Sequence, residues 1–197
     1  MYLIKSFLCS ILLFLFILDA NAQDDPMRIG FGVGYSHGYT FFGGEEISVI
    51  TLPIDFADFS VVIRTKNFRF EPTFGYFSSS YKNTINGITY ESSSSNLRLG
   101  TVLAYANAIA SMNLYYGIDI GVILSSETSG SSSTDRSKTD FFVGPAIGGE
   151  YMFSENFSLG GEIQINYISI GNFDDDSDAS STAVSTRGKI MLRWYVN

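Results

Sequence analysis

Few residues of this chain could do acid–base chemistry. His37 is the only histidine, and it follows a run in which apolar residues alternate with glycine. A histidine can act as a general base toward a serine hydroxyl, and Ser78 to Ser80 end a later apolar run. Serine is abundant in many polar stretches of the chain, so proximity to His37 does not follow from composition. We therefore keep an enzyme that uses His37 as an alternative to the main interpretation developed below.

Two other motifs suggest ligands only weakly. Asp174 to Asp178, with sequence DDDSD, offers the oxygen ligands that Ca²⁺ prefers, but it lacks the glycine and the distal glutamate of a defined calcium loop. The spacing of Gly30, Gly32 and Gly34 resembles a nucleotide-binding fingerprint, but no helical pattern follows it. We expect a solvated acidic loop tip, and neither a metal nor a cofactor.

The segment Phe157 to Ile170, FSLGGEIQINYISI, shows what must position any such residues. Its large apolar residues recur at every second position, and small or polar residues fill the positions between them. A period of two predicts a strand with one apolar and one polar face. The polar face carries glycine, small residues and one carboxylate, which suits a narrow interior. We therefore expect the apolar face to contact lipid and the polar face to line a lumen.

The first residues predict a cleaved leader. Lys5 supplies a positive charge, residues Phe7 to Leu18 are almost wholly apolar, and Ala20-Asn21-Ala22 provides a small-x-small cleavage signal. This apolar stretch is shorter than the roughly twenty residues that a spanning helix needs. We expect residues 1–22 to be a signal peptide and residues 23–197 to form one β-barrel domain.

Composition limits the class of the remaining chain. Charged residues make up 16% of the sequence and aromatic residues 15%, whereas ordinary soluble domains have roughly 25% charged residues. The net charge of −8 argues against nucleic acid as a partner. Cys9, the only cysteine, falls within the predicted leader, so no disulfide or thiolate is expected. Since closed barrels and helices are the two structures that satisfy the backbone in lipid, a membrane barrel is indicated.

Eight alternating segments are predicted along the chain, at about residues 27–36, 47–63, 68–76, 97–105, 114–124, 141–153, 157–170 and 189–196. Long polar connections (37–46, 78–96, 125–138 and 171–185) alternate with short ones (64–67, 106–112 and 154–156). Outer-membrane barrels combine long external loops with short periplasmic turns, which puts both termini on the periplasmic side. In the second segment the apolar residues switch from even-numbered to odd-numbered positions. We expect a bulge near Ala57-Asp58 to keep them on one face of the strand.

In most of the predicted strands, the face that carries small and polar residues also carries charged ones. These charged residues are Arg69, Glu71, Arg98, Asp119, Glu150, Glu162, Lys189 and Arg193. Four are basic and four acidic. Facing lipid, each Arg or Lys near the midplane would cost about 2–4 kcal/mol, whereas inside a lumen the set can neutralise itself. An ion pathway or gate is one interpretation. We favour a structural charge network, because the interior of an eight-stranded barrel is filled by side chains.

Together the leader, the eight segments, the charged interior and the ending Trp194-Tyr195-Val196 resemble the small eight-stranded outer-membrane barrels. These are the OmpA-barrel, OmpX and "outer membrane protein beta-barrel domain" type. The resemblance covers the whole mature chain and implies an all-β, antiparallel, up-and-down transmembrane barrel. Such proteins commonly end on an aromatic residue, whereas this chain ends in Asn197. Recognition by the assembly machinery is therefore expected to involve Trp194 and Val196.

From this resemblance we expect a non-enzymatic protein of the bacterial outer membrane, with both termini periplasmic. Its role would be structural in the envelope, or an interaction at the cell surface through polar loops. The alternatives are a lipid A or phospholipid acyl-modifying enzyme that uses His37, and a small-solute pore. Expected partners are outer-membrane lipid, lipopolysaccharide and, during biogenesis, the barrel-assembly machinery. A monomer is expected.

Overall fold

The computed structural model describes residues 27–42, 50–85, 88–129, 135–171 and 181–196. Eight strands account for nearly all of them: β1 Arg28–Phe42, β2 Ile50–Arg64, β3 Phe68–Ile85, β4 Ile88–Ile109, β5 Met112–Ser129, β6 Asp135–Met152, β7 Phe157–Ile170 and β8 Ser181–Val196. The predicted leader and the aspartate run Asp174 to Asp178 lie outside these ranges. Among the described residues there is no helix long and apolar enough to cross a membrane.

The strands form one closed antiparallel barrel, in which each strand pairs with the next and β8 pairs with β1. Paired residues can be followed once around the barrel from Gly32, through Ser60, Thr73, Gly100, Gly121, Phe142, Ile168 and Ala183 to Phe42. The path returns to β1 ten residues further on. This stagger tilts the strands by about 40° and leaves an interior just wide enough for side chains. The predicted eight-stranded barrel is confirmed.

The two faces of the sheet have opposite polarity. In β7, exposed and buried residues alternate from Phe157 to Ser169. Ile163 is 61% exposed on the outside, whereas the neighbouring Glu162 and Gln164 are 3% and 0% exposed. A water-soluble barrel would bury its aliphatic residues. This barrel buries its ionisable ones, as expected of a wall that faces lipid.

The short turns 65–67, 110–111 and 153–156 lie at one end of the barrel, which we call the turn end; the opposite end is the loop end. Trp194, Tyr151 and Phe157 are exposed on the outer wall near the turn end, and Tyr39 and Tyr167 are exposed near the loop end. Aromatic girdles of this kind flank an apolar band about 25 Å tall in membrane barrels.

The strands extend much further toward the loop end than predicted. Residues 78–96 were predicted to form a loop, but β3 and β4 continue through them as a paired hairpin up to Ile85 and Ile88. Predicted loops 37–46, 125–138 and 171–185 are also partly strand, since β1 reaches Phe42, β5 reaches Ser129, β6 starts at Asp135 and β8 starts at Ser181. Antiparallel pairing uses backbone groups, so serine-rich segments can remain in the ladder.

The predicted bulge in β2 is absent. Pairing with β1 keeps one register from Arg64 to Ile50, and the described pairs with β3 keep one register as well. Phe56, Asp58, Ser60 and Val62 are all buried inside the barrel. The phase of the sequence pattern changes because an aromatic residue, Phe56, occupies an inward position.

Candidate functional site

The eight predicted charged residues all lie inside the barrel, each 3% exposed or less. Their strands direct them inward because every second residue faces the lumen. Six of them form a turn-end cluster: Arg69, Glu71, Glu150, Glu162, Lys189 and Arg193. The other two belong to a loop-end cluster, which consists of Asp58, Arg98, Asp119 and Arg187.

Glu71 occupies the centre of the turn-end cluster. Arg69 donates to its carboxylate from Nε at 2.9 Å and from Nη2 at 2.7 Å. Arg193 donates to both oxygens, at 3.0 and 3.2 Å, and Lys189 Nζ lies 3.6 Å from Oε1. One fully buried carboxylate is therefore shared by three cations.

Glu150 contacts two of these three cations, Arg69 and Arg193, from a second side. Its Oε1 accepts a hydrogen bond from Arg69 at 3.2 Å, and its Oε2 lies 3.5 Å from Arg193 Nη1. The hydroxyl of Tyr195 lies 2.8 Å from both oxygens, and Arg64, at the rim of the turn end, approaches to 3.7 Å. This arrangement ties the last strand to β3 and β6.

Glu162 completes the turn-end cluster. It forms an ion pair with Lys189 at 2.9 Å and accepts hydrogen bonds from Tyr115 at 2.9 Å and from Gln164 at 2.6 Å. The guanidinium of Arg69 lies 4.2 Å above the ring of Tyr115. Each carboxylate of the cluster therefore contacts at least one cation. Each also has a second partner, which is either another cation or a neutral hydrogen-bond donor.

Half of the loop-end cluster was not predicted. Arg187 donates to Asp58 at 2.5 Å and to Ser36 at 2.8 Å, and Arg98 is hydrogen-bonded to Asp119. Asp58 was assigned to a bulge that does not exist, and Arg187 precedes the predicted start of the last strand. Extending the alternation backwards from Lys189 would have found Arg187.

Gln164 links the two clusters. Its carbonyl oxygen lies 3.4 Å from nitrogens of both Arg98 and Arg187, while its amide nitrogen donates to Glu162. The turn-end cluster has three cations and three anions, and the loop-end cluster has two of each. Buried charges are tolerated when they are paired, and every charged residue of the two clusters has an oppositely charged partner within 4 Å. The lumen is thus filled by a neutral, connected network.

A cavity of about 290 Å³ lies above the loop-end cluster. Phe56, Ile123, Ile168 and Ala183 contribute apolar lining, and Lys138 and Asp140 form an ion pair of 3.1 Å at its edge. Below it, the guanidinium of Arg98 lies 4.0 Å from the centre of the Phe142 ring.

His37 lies on the outer wall, away from this network. Its Nδ1 is 2.5 Å from Asp55 Oδ1, and Tyr35 donates its hydroxyl to the same oxygen at 2.6 Å. The acid that His37 contacts was not predicted, because the pairing of β1 with β2 cannot be deduced from the sequence alone. Ser78 belongs to β3, so strand β2 separates it from His37. In the described part of the chain, His37 is hydrogen-bonded to Asp55 and not to Ser78, Ser79 or Ser80.

The comparison with known families agrees with the reversed polarity of the barrel. A family model described as "Outer membrane protein beta-barrel domain" matches residues 8–187. The chain belongs to this family. As a member of the outer membrane protein beta-barrel domain family, it is a barrel of the bacterial outer membrane, and the resemblance seen in the sequence is confirmed.

Solved structures similar to this family member are also small outer-membrane barrels. Neisserial surface protein A (NspA) is 15% identical with a TM-score of 0.63, and the match covers 84% of this chain and 96% of that one. Ail, the attachment invasion locus protein of Yersinia pestis, in complex with the heparin analogue sucrose octasulfate, is 14% identical with a TM-score of 0.55, covering 86% and 97%. At such identities the similarity concerns the fold. Curated protein sequences gave no match.

Proposed function

We propose that this outer-membrane barrel is a non-enzymatic surface protein. Its filled lumen acts as a structural core, and its strands display a polar sheet outside the cell. Both termini are then periplasmic, and the long hairpins are extracellular. The barrel works as a monomer surrounded by outer-membrane lipid and lipopolysaccharide, and it is inserted by the barrel-assembly machinery.

The observation that carries this proposal is the length of the hairpin formed by β3 and β4. Beyond the pair Tyr76 and Leu97, the two strands continue for nine more pairs, to Ile85 and Ile88. At about 2.5 Å of height per residue in a tilted strand, the hairpin extends roughly 20 Å past the apolar wall. A membrane anchor does not need this extension, so we assign it to contacts outside the membrane.

The extension has two features that suit a contact surface. Strands β3 to β6 remain paired well beyond the apolar band, which makes one raised sheet. Among the described residues, the pairs of β2 with β3 lie between Ala57 and Arg64, whereas the pairs of β3 with β4 continue to Ile85. The raised sheet therefore offers a broad polar surface that other proteins can contact.

The charges of the raised sheet favour a protein partner over a polyanion. Its described cations Lys82, Arg136 and Lys138 are balanced by Glu91 and Glu127, together with Asp140 at the base. The whole sequence has a net charge of −8. Polyanions need a concentrated basic patch. We therefore expect no attachment through a heparin-like ligand of the kind bound by Ail.

Shortening the hairpin tests this function. A variant that lacks residues 79–94, with Ser78 and Ser95 joined by an Asn-Gly turn, keeps the pairs below the cut. We expect cells that display it to lose most of their attachment to protein-coated surfaces, relative to cells that display the full chain. Heat-modifiable gel migration should be the same for both, because the barrel is intact. Equal attachment by the two chains would contradict the proposal.

A cysteine control verifies that the raised sheet is displayed. Ser80→Cys, on the hairpin, should react with a membrane-impermeant maleimide on intact cells, whereas Glu155→Cys, in a turn, should react only after permeabilisation. Both residues are exposed on the barrel. Reversed labelling would show that the loop end faces the periplasm.

The filled lumen predicts that the protein does not conduct ions. In planar bilayers the purified barrel should give no discrete conductance steps at neutral pH, because paired side chains occupy the cross-section. A general porin, tested in the same bilayers, provides the positive control. Regular steps above the noise would support a solute pore instead.

A further inference from the structure

The described part of the outer wall carries one pair of acidic and basic side chains within its apolar band. Among the described residues of the wall between Trp194 and Tyr167, His37 and Asp55 are the only outward-facing Asp, Glu, His, Lys or Arg side chains. Their side chains are 46% and 36% exposed. Ionisable residues that face lipid are rare, because the bilayer penalises them, and they usually mark a functional site.

The height of the pair on the wall is set by β1. His37 lies eight residues beyond Ile29, the first outward residue of β1. At about 2.5 Å per residue, this separation is about 20 Å in a band about 25 Å tall. The pair is therefore near the loop-end limit of the band, where lipid headgroups meet acyl chains.

The hydrogen bonds define which atoms remain available. The Nδ1 of His37 and the hydroxyl of Tyr35 both contact Oδ1 of Asp55, at 2.5 and 2.6 Å. Oδ2 has no donor among the described residues. Since Nδ1 is engaged by a carboxylate, Nε2 of a neutral imidazole is a second acceptor. The ring of Tyr39 lies edge-to-face with the imidazole, 5.0 Å away.

These features select the chemistry of the ligand. A carboxylate without a neighbouring Lys or Arg repels phosphate and attracts a cation. Metal binding is not indicated, because no group of three or more His, Cys, Asp or Glu residues in the described part of the chain could hold an ion. An ammonium group fits better, since it donates several hydrogen bonds and is attracted to the faces of Tyr35 and Tyr39.

We propose that Asp55, His37, Tyr35 and Tyr39 bind a lipid headgroup that carries a primary ammonium group. The ammonium donates to Asp55 Oδ2 and to His37 Nε2 and lies against the tyrosine rings, while the acyl chains follow the apolar wall toward Val33 and Phe59. The source is either an ethanolamine glycerophospholipid or a glycolipid that carries phosphoethanolamine. This site is independent of the proposed surface contacts, and it needs only a wall that faces lipid.

Native mass spectrometry of the full barrel, released from lipid nanodiscs, tests the site. We expect the wild type to retain phosphatidylethanolamine about fivefold more than phosphatidylglycerol, with phosphatidylcholine between them because its ammonium cannot donate. Asp55→Asn should abolish the preference. Thr186→Ala, on the outward face of the neighbouring strand β8, should keep it. Both variants should show the heat-modifiable migration of the wild type.

A second pair of nanodiscs distinguishes the sources, with lipid A that either carries or lacks phosphoethanolamine. The site is supported if the protein prefers ethanolamine-bearing lipids in either set and loses this preference in Asp55→Asn. The set in which this happens identifies the lipid. Equal retention of all lipids by the wild type would overturn the proposal. So would a preference for ethanolamine lipids that persists in Asp55→Asn. Neither result bears on the attachment assay, so the two proposals fail separately.

Discussion

Replacing Glu71 by alanine is expected to lower the free energy of unfolding by about 3–5 kcal/mol. The side chain is fully buried and contacts Arg69, Arg193 and Lys189. Its removal leaves the turn-end cluster with three cations and two anions, so one positive charge is uncompensated in a lumen of low dielectric constant. The lost attraction and the repulsion between the remaining cations act in the same direction.

Reversible urea unfolding in the presence of lipid vesicles measures this loss. The matched control is Glu91→Ala, which removes a glutamate from the exposed ion pair with Lys82 and should cost only about 0–1 kcal/mol. A double variant, Glu71→Ala with Lys189→Met, should recover part of the stability, because it restores the charge balance. If Glu71→Ala and Glu91→Ala are equally mild, the buried network is not what stabilises the lumen.

The network explains how a narrow barrel can have a polar core. Each carboxylate in the lumen contacts an arginine or lysine, and each cluster is neutral by itself. Tyr115, Tyr195 and Gln164 fill the space between the ions and donate hydrogen bonds to the carboxylates. Replacing a buried pair by apolar residues can be neutral, but removing one partner is costly. The lumen therefore tolerates the loss of single charged side chains poorly, as expected of a closed structural core.

The sequence predicted the fold because the alternation of residue types has the same period as the strand. Phe157 to Ile170 shows this alternation most clearly, and its inward and outward faces match the structure. The count of alternating segments gave the number of strands, and the order of short and long connections put the three short turns at one end of the barrel. These features are local, so they can be read from one sequence.

The ends of the strands could not be predicted in this way. Residues such as Ser93 and Ser94 have low strand propensity, and they stay in β4 because β3 and β5 pair with them on both sides. Pairing is a property of the neighbours rather than of the residues themselves. A pattern that depends on hydrophobic alternation therefore ends where the membrane ends, although the sheet continues.

The candidate sites were predicted to different degrees for the same reason. Inward parity alone identified the eight charged residues of the network. Asp58 was missed because its strand has an aromatic residue on the inward face. The contact of His37 with Asp55 depends on the register between β1 and β2, which no local pattern encodes. The alternation along a strand predicts whether a residue faces inward or outward. Its contact on the neighbouring strand depends on the register between the two strands.

Replacing Ile163 by arginine is expected to destabilise the barrel by about 2–4 kcal/mol in a lipid bilayer. Ile163 is outward and 61% exposed, and its neighbours across β6 and β8 are Ile147 and Gly188. It lies six residues beyond Phe157, about 15 Å above the turn end and thus near the middle of the apolar band. A guanidinium at this depth has neither water nor a carboxylate to contact.

The control for this substitution is Ser169→Arg, in the same strand and on the same outward face. Ser169 lies twelve residues beyond Phe157, about 30 Å above the turn end, so arginine there reaches water and should cost about 0–1 kcal/mol. Unfolding midpoints in urea with lipid vesicles give both values. If the two variants are equally stable, or if Ile163→Arg makes the barrel soluble without detergent, the outer wall does not face acyl chains. The expected difference follows directly from the reversed polarity of the two faces.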